Sequence, residues 1–553
     1  MIRTGERYNR WVPWLVGFAA SLFGAAGQAQ APRIFAITDV RIVTAPGEVI
    51  ERGTLVMRDG LIEGVGANTE VPTDATVFAG EPEWTVYPAL IDAAAAVGLN
   101  TEESPEGSRR RPETPTLGAP HELPTVQADM SVVDQLDFSH GSLKRHRELG
   151  FAVAHVLPAS GVFRGESAVI LLRDAPAQEL VLIPRMAQVV ALEKSSFMAR
   201  QYPSSSIGAV AAVRQTLLDA ERQLTWNERF AIDPVGMPNP PYRASDAALA
   251  AVLREERPVV FVSLAELDPG RFQAISDEFS LRALTVATGL GQRPDGLAGT
   301  TTPLLLPLEL PEEPELDDPE AAREISLRDM QAYLRAPALP GKLAQSDVEF
   351  AFVTAGMKSA RDFPANLAAV VEAGLPPDQA LAAVTTVPAR LLGLDRVIGT
   401  LAAGKQANVL VVEGELFTAE PELRHAFIAG YHYEFEPDEV IGDPNAVVDP
   451  RGTWDILTEV MGKSSGSTWT ISGSPDDYEG FSQSAAGDKQ DFMRVRLRGN
   501  ALTVISDTTR GEFERTVVIT GDSLEGDATM ESPRGSVKMA IEGRRVAGPE
   551  ARR

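Results

Sequence analysis

Apolar and polar positions alternate along this chain in two rhythms, and the rhythm changes many times. Residues 34–44, 53–58 and 61–65 are short apolar, β-branched runs and read as strands. Asp59-Gly60 separates the second from the third, a type I′ hairpin signal in which Gly60 takes a positive φ freely. Residues 84–98 form an apolar run with no charge until Asp92, stopped by Gly98, and read as one buried strand around which the rest is organised. After a Pro-, Glu- and Arg-rich loop at 100–127, with a solvated tip at Arg109–Arg111, residues 132–149 read as a helix ended by Gly150. Strands are expected at 151–157, 168–172, 258–262, 284–287 and 348–354, and 186–192 and 302–310 are further apolar runs. Between them, 209–223 places Val210, Val213, Leu217 and Leu224 on one helical face, and 244–256, 268–279 and 327–336 also read as helices, Ser245 being the expected N-cap of the first of these three.

Strands alternating with helices over about 270 residues indicate a parallel α/β architecture. A closed (β/α)₈ barrel suits that length, although periodicity alone leaves an open sheet equally allowed. Helices follow at 366–374 and 375–387, then a Gly- and β-rich segment to residue 412. Residues 437–450 read as a linker. From 453 to 547 the pattern changes to short alternating runs with turn signals every eight to twelve residues, among them Gly499-Asn500 and Gly521-Asp522. That predicts an independent antiparallel sandwich or barrel, with no chemical motif of its own.

Composition narrows the possibilities. The chain has 553 residues, 44% hydrophobic and 23% charged, which suits a soluble globular protein with two or three domains. Its net charge of −26 argues against nucleic acid and anionic membrane surfaces as partners. Arg3, Arg7 and Arg10 precede an apolar stretch at 11–26, so residues 1–29 are expected to be a signal peptide cut after Ala29. The mature chain is then exported, periplasmic or secreted, with no membrane contact after cleavage. Zero cysteines exclude disulfides, thiolate metal sites and a cysteine nucleophile.

The run Trp84-Thr-Val-Tyr-Pro-Ala-Leu-Ile-Asp-Ala-Ala-Ala-Ala-Val-Gly98 resembles the first barrel strand of the amidohydrolase superfamily, T-x-x-P-G-L-I-D-x-H-x-H. Pro88, Leu90, Ile91 and Asp92 keep the frame. The opening strands resemble the superfamily's N-terminal strand set. Residues 398–412, I-G-T-L-A-A-G-K-Q-A-N-V-L-V-V, resemble its I-G-x-L-x-x-G-K-x-A-D-L-V-V, with Asn408 in place of Asp. Pro388-Ala-Arg-Leu-Leu-Gly-Leu394 precedes it, with Val387 in place of an Asn. The likeness spans roughly residues 33–435. Tyr202-Pro203 and 214–219 resemble exported bacterial members of the imidazolonepropionase-like, amidohydrolase-related branch.

The resemblance implies a (β/α)₈ barrel at 85–394, a composite β-sandwich from 33–84 with 395–436, and the separate all-β domain at 451–547. It implies hydrolysis of carbon–nitrogen bonds other than peptide bonds. In the superfamily two histidines of the first strand, histidines of middle strands and an aspartate after the last strand hold metal. Here those positions carry Ala94 and Ala96, then Val262, Ser263, Ala287 and Thr288, then Ala355. An alanine methyl has no lone pair to give a metal. Lys194, where some relatives bridge two metals, has no partners to assemble with. The expectation is therefore a degenerate metal site, no catalytic or metal-ligating residue of the usual kind and no cofactor; a hydrolase with a remodelled, metal-free site and a non-catalytic binding or partner subunit both stay open. A small polar amide-like ligand is the expected partner, together with a homo-oligomer or pairing with an intact amidohydrolase. Asp92, His155, Arg164 and Glu166 are the candidate binding residues. His155 is the histidine inside a barrel strand, and Arg164 and Glu166 are read as a loop pair after the second strand, at the ligand face of the barrel.

Overall fold

The computed structural model describes residues 33–548 except 100–120, 195–201, 291–299, 313, 315–322, 324, 347, 420, 436–441, 444–445 and, near the C-terminus, 461–462, 475–476, 485–486, 493, 509–510 and 531–536. The expected signal peptide and the Arg109–Arg111 loop tip lie outside the described residues. The chain forms two compact units: residues up to Leu410 with 417–419 and 427–432, and the remainder to the C-terminus.

The chain opens with β1 (Ile34–Ala45), β2 (Glu48–Arg58), β3 (Leu61–Gly66), β4 (Thr76–Ala79) and β5 (Trp84–Pro88). Asp59 and Gly60 both have positive φ, 49° and 83°, as a type I′ turn requires, and Arg58 pairs with Leu61. A Cβ on Gly60 would sit 2.7 Å from the Ala429 carbonyl oxygen. Gly60→Ala is therefore expected to destabilise the first unit by about 2 kcal/mol, read as a lowered urea midpoint; an unchanged midpoint would contradict the packing described.

The run 84–98 is two strands rather than one. Pro88 offers no N–H to continue a ladder. Ala89 N–H bonds the Asn408 carbonyl (3.0 Å), and Leu90 N–H already bonds Gly150 (3.0 Å) in another sheet. From there β6 (Leu90–Ala95) and β7 (Phe151–Val156) run parallel. The bent β8–β9 segment (Phe163–Glu166, Ala168–Leu171) is antiparallel to β7 on one side. After β10 (Val181–Ile183), β11 (Gln188–Ala191) flanks β8–β9 antiparallel on the other side. Then β12 (Val259–Val262), β13 (Ala283–Val286), β14 (Leu304–Pro307) and β15 (Phe350–Val353) follow in parallel order. Ala355 N–H bonds the Ala94 carbonyl at 2.9 Å, bringing the last stave back to the first. The result is a barrel of eight staves, one of them antiparallel.

Helices α1 (Gly141–Glu148) and α2 (Ala177–Leu180) come early. The helices α3 (Ser206–Ile232), α4 (Ala244–Leu253) and α5 (Asp268–Phe279) cover the outer face of the barrel. Ala209, Val213 and Leu217 of α3 and Phe272 of α5 pack with Val190, Leu192 and Phe261. The long helix expected at 132–149 is instead a 3₁₀ turn, Val132–Gln135, and α1. Asp137 accepts from both the N–H and the hydroxyl of Ser139, a side-chain-to-backbone turn that competes with helix. Ser245 is not the cap of α4; Arg243 stands there without a side-chain cap bond, and Ser245 Oγ donates to Asp129 at 2.8 Å.

After α6 (Leu327–Arg335), α7 (Leu339–Ala344), α8 (Phe363–Glu372), α9 (Pro377–Val384) and α10 (Thr386–Leu391), strands β16 (Asn408–Glu413), β17 (Glu422–Ile428) and β18 (Tyr431–Glu434) return. They join β1–β5 in one sheet of order β18-β17-β16-β5-β1-β2-β3, with β4 on β1. The two distant β segments thus share one sheet, where a composite sandwich was expected.

In the second unit β19 (Gly452–Val460), β20 (Lys463–Ser474), β21 (Asp477–Ser484), β22 (Lys489–Asp491), β23 (Arg494–Arg498), β24 (Ala501–Thr508), β25 (Gly511–Thr520), β26 (Ser523–Met530) and β27 (Val537–Ala547) are all antiparallel. β19 pairs with both β20 and β27, and β20 pairs with β21, so the circuit closes with β22 outside it. Of the two architectures the pattern allowed, this is the barrel. Trp454 and Trp469 lie fully buried inside it.

Candidate functional site

Enzymes on parallel barrels act at the C-terminal ends of the strands. At that end of β6 and β15, Asp92 organises a buried cluster. Its Oδ1 accepts the N–H groups of Ala94 (3.1 Å) and Thr354 (3.3 Å), and its Oδ2 accepts the Thr354 hydroxyl at 2.5 Å. His146 Nε2, from α1, lies 3.3 Å from Asp92 Oδ2 and 3.1 Å from Thr354 Oγ1. All three side chains are buried. The same imidazole nitrogen faces both partners, and the threonine proton already goes to the carboxylate. That is not the order of a nucleophile, base and orienter, which needs the two nitrogens of the ring on opposite partners. The cluster fastens the first stave to the last. Sequence reading singled out Asp92 but missed His146. The available signal was the buried stripe Leu143, His146, Arg147 at helical spacing on α1.

His155 is completely buried, with Nδ1 2.7 Å from the Ala93 carbonyl and Nε2 2.7 Å from Ser167 Oγ. A carbonyl only accepts, so Nδ1 carries the proton and Nε2 accepts from Ser167. Burial lowers its pKa from 6.5 to about 4, against the pull of the Ala93 carbonyl and Asp92. The ring is therefore neutral at pH 7. The β6–β7 register shifts between Asp92 and Ala95, and the imidazole serves the Ala93 carbonyl that lies in that irregular stretch.

Phe163–Glu166 is a barrel stave and not the loop expected after the second strand. Arg164 bonds Glu193 at 3.2 Å, just past the end of β11, and Glu193 also accepts the Gly161 N–H at 3.0 Å. Burial pulls the Arg164 pKa down while Glu193 raises it. Glu166 pairs with Gln188, the first residue of β11, so it lies toward the N-terminal end of the parallel strands, opposite the ligand face. It is buried, meets Arg257 in a short hydrogen bond, and has Arg185 3.1 Å away. Burial pushes its pKa up and the two guanidiniums pull it back. The structure therefore places the two residues at different ends of the barrel wall and engages both in ion pairs.

Of the positions that hold metal in the resembled superfamily, those of Ala94 and Ala355 come together. Ala94, fully buried, and Ala355 are joined by the 2.9 Å backbone bond, while Ala96 is exposed. Lys194 is exposed. At the end of β12, Ser263 Oγ is buried and has no hydrogen-bond partner among the described residues. Among the described residues, no group of three or more His, Asp or Glu side chains is arranged to hold a metal ion. These strand ends carry methyl groups and the hydroxyls of Ser263 and Thr288, which do not fit a hydrolytic zinc or manganese centre.

Residues 335–447 match the amidohydrolase family model. No curated protein matches the chain. Among solved structures, an amidohydrolase from Thermotoga maritima shares 17% identity at a TM-score of 0.60, with 72% of this chain and 100% of that one covered. A Xaa-Pro dipeptidase (16% identity, TM-score 0.43, coverage 73% and 100%) and a molinate hydrolase (14%, 0.44, 72% and 94%) are looser matches. The family match over 335–447 bears out the resemblance to the amidohydrolase superfamily, and the structural likeness shows a shared fold.

Proposed function

We propose that this chain is an amidohydrolase-type barrel, related to hydrolases of carbon–nitrogen bonds other than peptide bonds, that has given up metal-assisted hydrolysis and works as a binding or partner subunit. The observation that supports this reading is the junction of β6 and β15. There Ala94 and Ala355 meet through a backbone hydrogen bond where relatives carry lone-pair donors. A bound metal would supply an activated hydroxide near neutral pH, and these residues offer nothing to hold it. Asp92 cannot replace it, because both its oxygens are already shared among Thr354, His146 and the Ala94 N–H. What the strand ends offer is hydrogen-bonding groups, among them the Ser263 hydroxyl, which has no partner among the described residues. Those suit a small polar amide-like ligand, or an intact amidohydrolase as partner, in an exported setting.

Purified protein is expected to carry well under one equivalent of zinc, manganese or iron, and to leave hydantoin, dihydropyrimidine and dipeptide-like amides intact. Metal analysis after dialysis and a turnover assay check this together. Stoichiometric metal accompanied by metal-dependent turnover would sink the proposal. Restoring Ala94→His, Ala96→His and Ala355→Asp is expected to give weak metal binding at most. The middle strands would still end in Val262, Ser263 and Ala287, and the fully buried site of Ala94 leaves an imidazole overpacked by about 1–3 kcal/mol.

A further inference from the structure

We propose that the interior of the β19–β27 barrel binds a small organic carboxylate, with Arg515 as its counter-ion. Arg515 lies opposite Val504 on β24, and Val504 is fully buried, so the guanidinium projects into the barrel. It reaches Trp469 across the interior: its Cζ lies 5.0 Å from the Trp469 ring centre, 5.2 Å from Phe513 and 5.4 Å from Phe492. Its Nη2 donates to Ser506 Oγ, itself fully buried. Its Nε–H is buried and has no acceptor among the described residues, and no carboxylate among them pairs with it.

The second arginine of this barrel shows a guanidinium with a counter-ion beside it, although its Nε–H also has no hydrogen-bond acceptor among the described residues. Arg545 stacks 4.2 Å over Trp454, donates to the Asp449 carbonyl at 2.6 Å and to that of Arg451, and has Asp522 at 3.2 Å. Among the described residues, Arg515 has the aromatic faces without an anion. A buried cation with no counter-ion is costly, and a carboxylate on its Nε–Nη2 edge removes that cost through two parallel charge-assisted bonds. Burial pulls the Arg515 pKa down to about 10 with no acid to raise it, which still leaves it charged at neutral pH.

The inner face also leads outward. Along β19 buried Trp454 and Ile456 alternate with exposed Asp455 and Leu457, and the next inward position, Thr458, is half-exposed. Ser467 and Ser482 stand opposite Ile456 and Trp469 and are half-exposed as well. Eight-stranded barrels have room for side chains or for one small ligand. One guanidinium balances one negative charge, and three aromatic rings suit an apolar body. That combination selects an organic monocarboxylate.

The test titrates the full chain with sodium acetate, benzoate and octanoate, and with benzamide and octanamide as uncharged counterparts. Tryptophan emission and calorimetry report binding, since Trp454 and Trp469 lie in the barrel. Saturable binding of benzoate or octanoate is expected, at least tenfold weaker for the matching amide and at least tenfold weaker in Arg515→Met. If Arg515→Met does not fold, the acid-against-amide comparison on the unmodified chain decides. No saturation with any of the three acids, equal binding of acid and amide, or undiminished binding by folded Arg515→Met would overturn the proposal.

Discussion

His155→Ala is expected to destabilise the first unit by about 3–5 kcal/mol, among the largest single-residue effects in the molecule. Two costs add. Removing a completely buried imidazole leaves a cavity between β6, β7 and β8–β9. It also leaves the Ala93 carbonyl without its 2.7 Å donor in a place water does not reach, while the Ser167 hydroxyl keeps the Ala187 carbonyl at 3.1 Å. The same residue makes stability depend on pH. Its folded pKa is about 4 and its unfolded value 6.5. Above pH 6.5 both states are neutral there and the contribution is complete. As pH falls below 6.5 the unfolded chain takes up a proton that the folded chain refuses, so stability is lost progressively down to about pH 4. The loss amounts to about 3 kcal/mol. Urea unfolding of the native chain, of His155→Ala and of His155→Gln at pH 7 and pH 4.5 checks both points. Equal pH dependence in the two proteins would show that the ring titrates normally and that its buried position is wrongly described.

Glu166→Ala is expected to cost about 2–4 kcal/mol. The carboxylate is buried, and its removal strands Arg257, whose side chain is 21% exposed, beside an apolar stave. Arg185 is 61% exposed and returns to water at little cost, which keeps the effect below that of a fully buried pair. Coupling separates this mechanism from simple packing loss. Adding Arg257→Met to Glu166→Ala should recover part of the stability, because the uncompensated charge then disappears with its partner. A double mutant as unstable as the sum of the two single mutants would argue that charge has no part in it. The location at the N-terminal end of the parallel strands predicts that ligand binding at the mouth survives in any folded Glu166 variant.

The sequence by itself determined most of the scaffold. The Asp59-Gly60 hairpin, the alternation that makes a parallel barrel, and the frame Pro88, Leu90, Ile91 and Asp92 are local patterns, each written in a few adjacent residues. It also set Ala94 and Ala355 at meeting strand ends, but it set Glu166 at the wrong end, because 163–166 reads as a loop until it pairs with β11. The fate of each polar side chain was decided by tertiary structure. Whether Glu166 faces a ligand or Arg257 depends on a residue 91 positions away, and whether Asp92 is free depends on Thr354, 262 positions away. The division of 84–98 into two strands depended on Asn408, which takes the Ala89 N–H at a distance no periodicity reports. Hydrophobic rhythm records which face is buried, since burial acts on every residue of an element alike. Hydrogen bonds and ion pairs are short-ranged and directional, so their partners become known only when the staves are brought side by side.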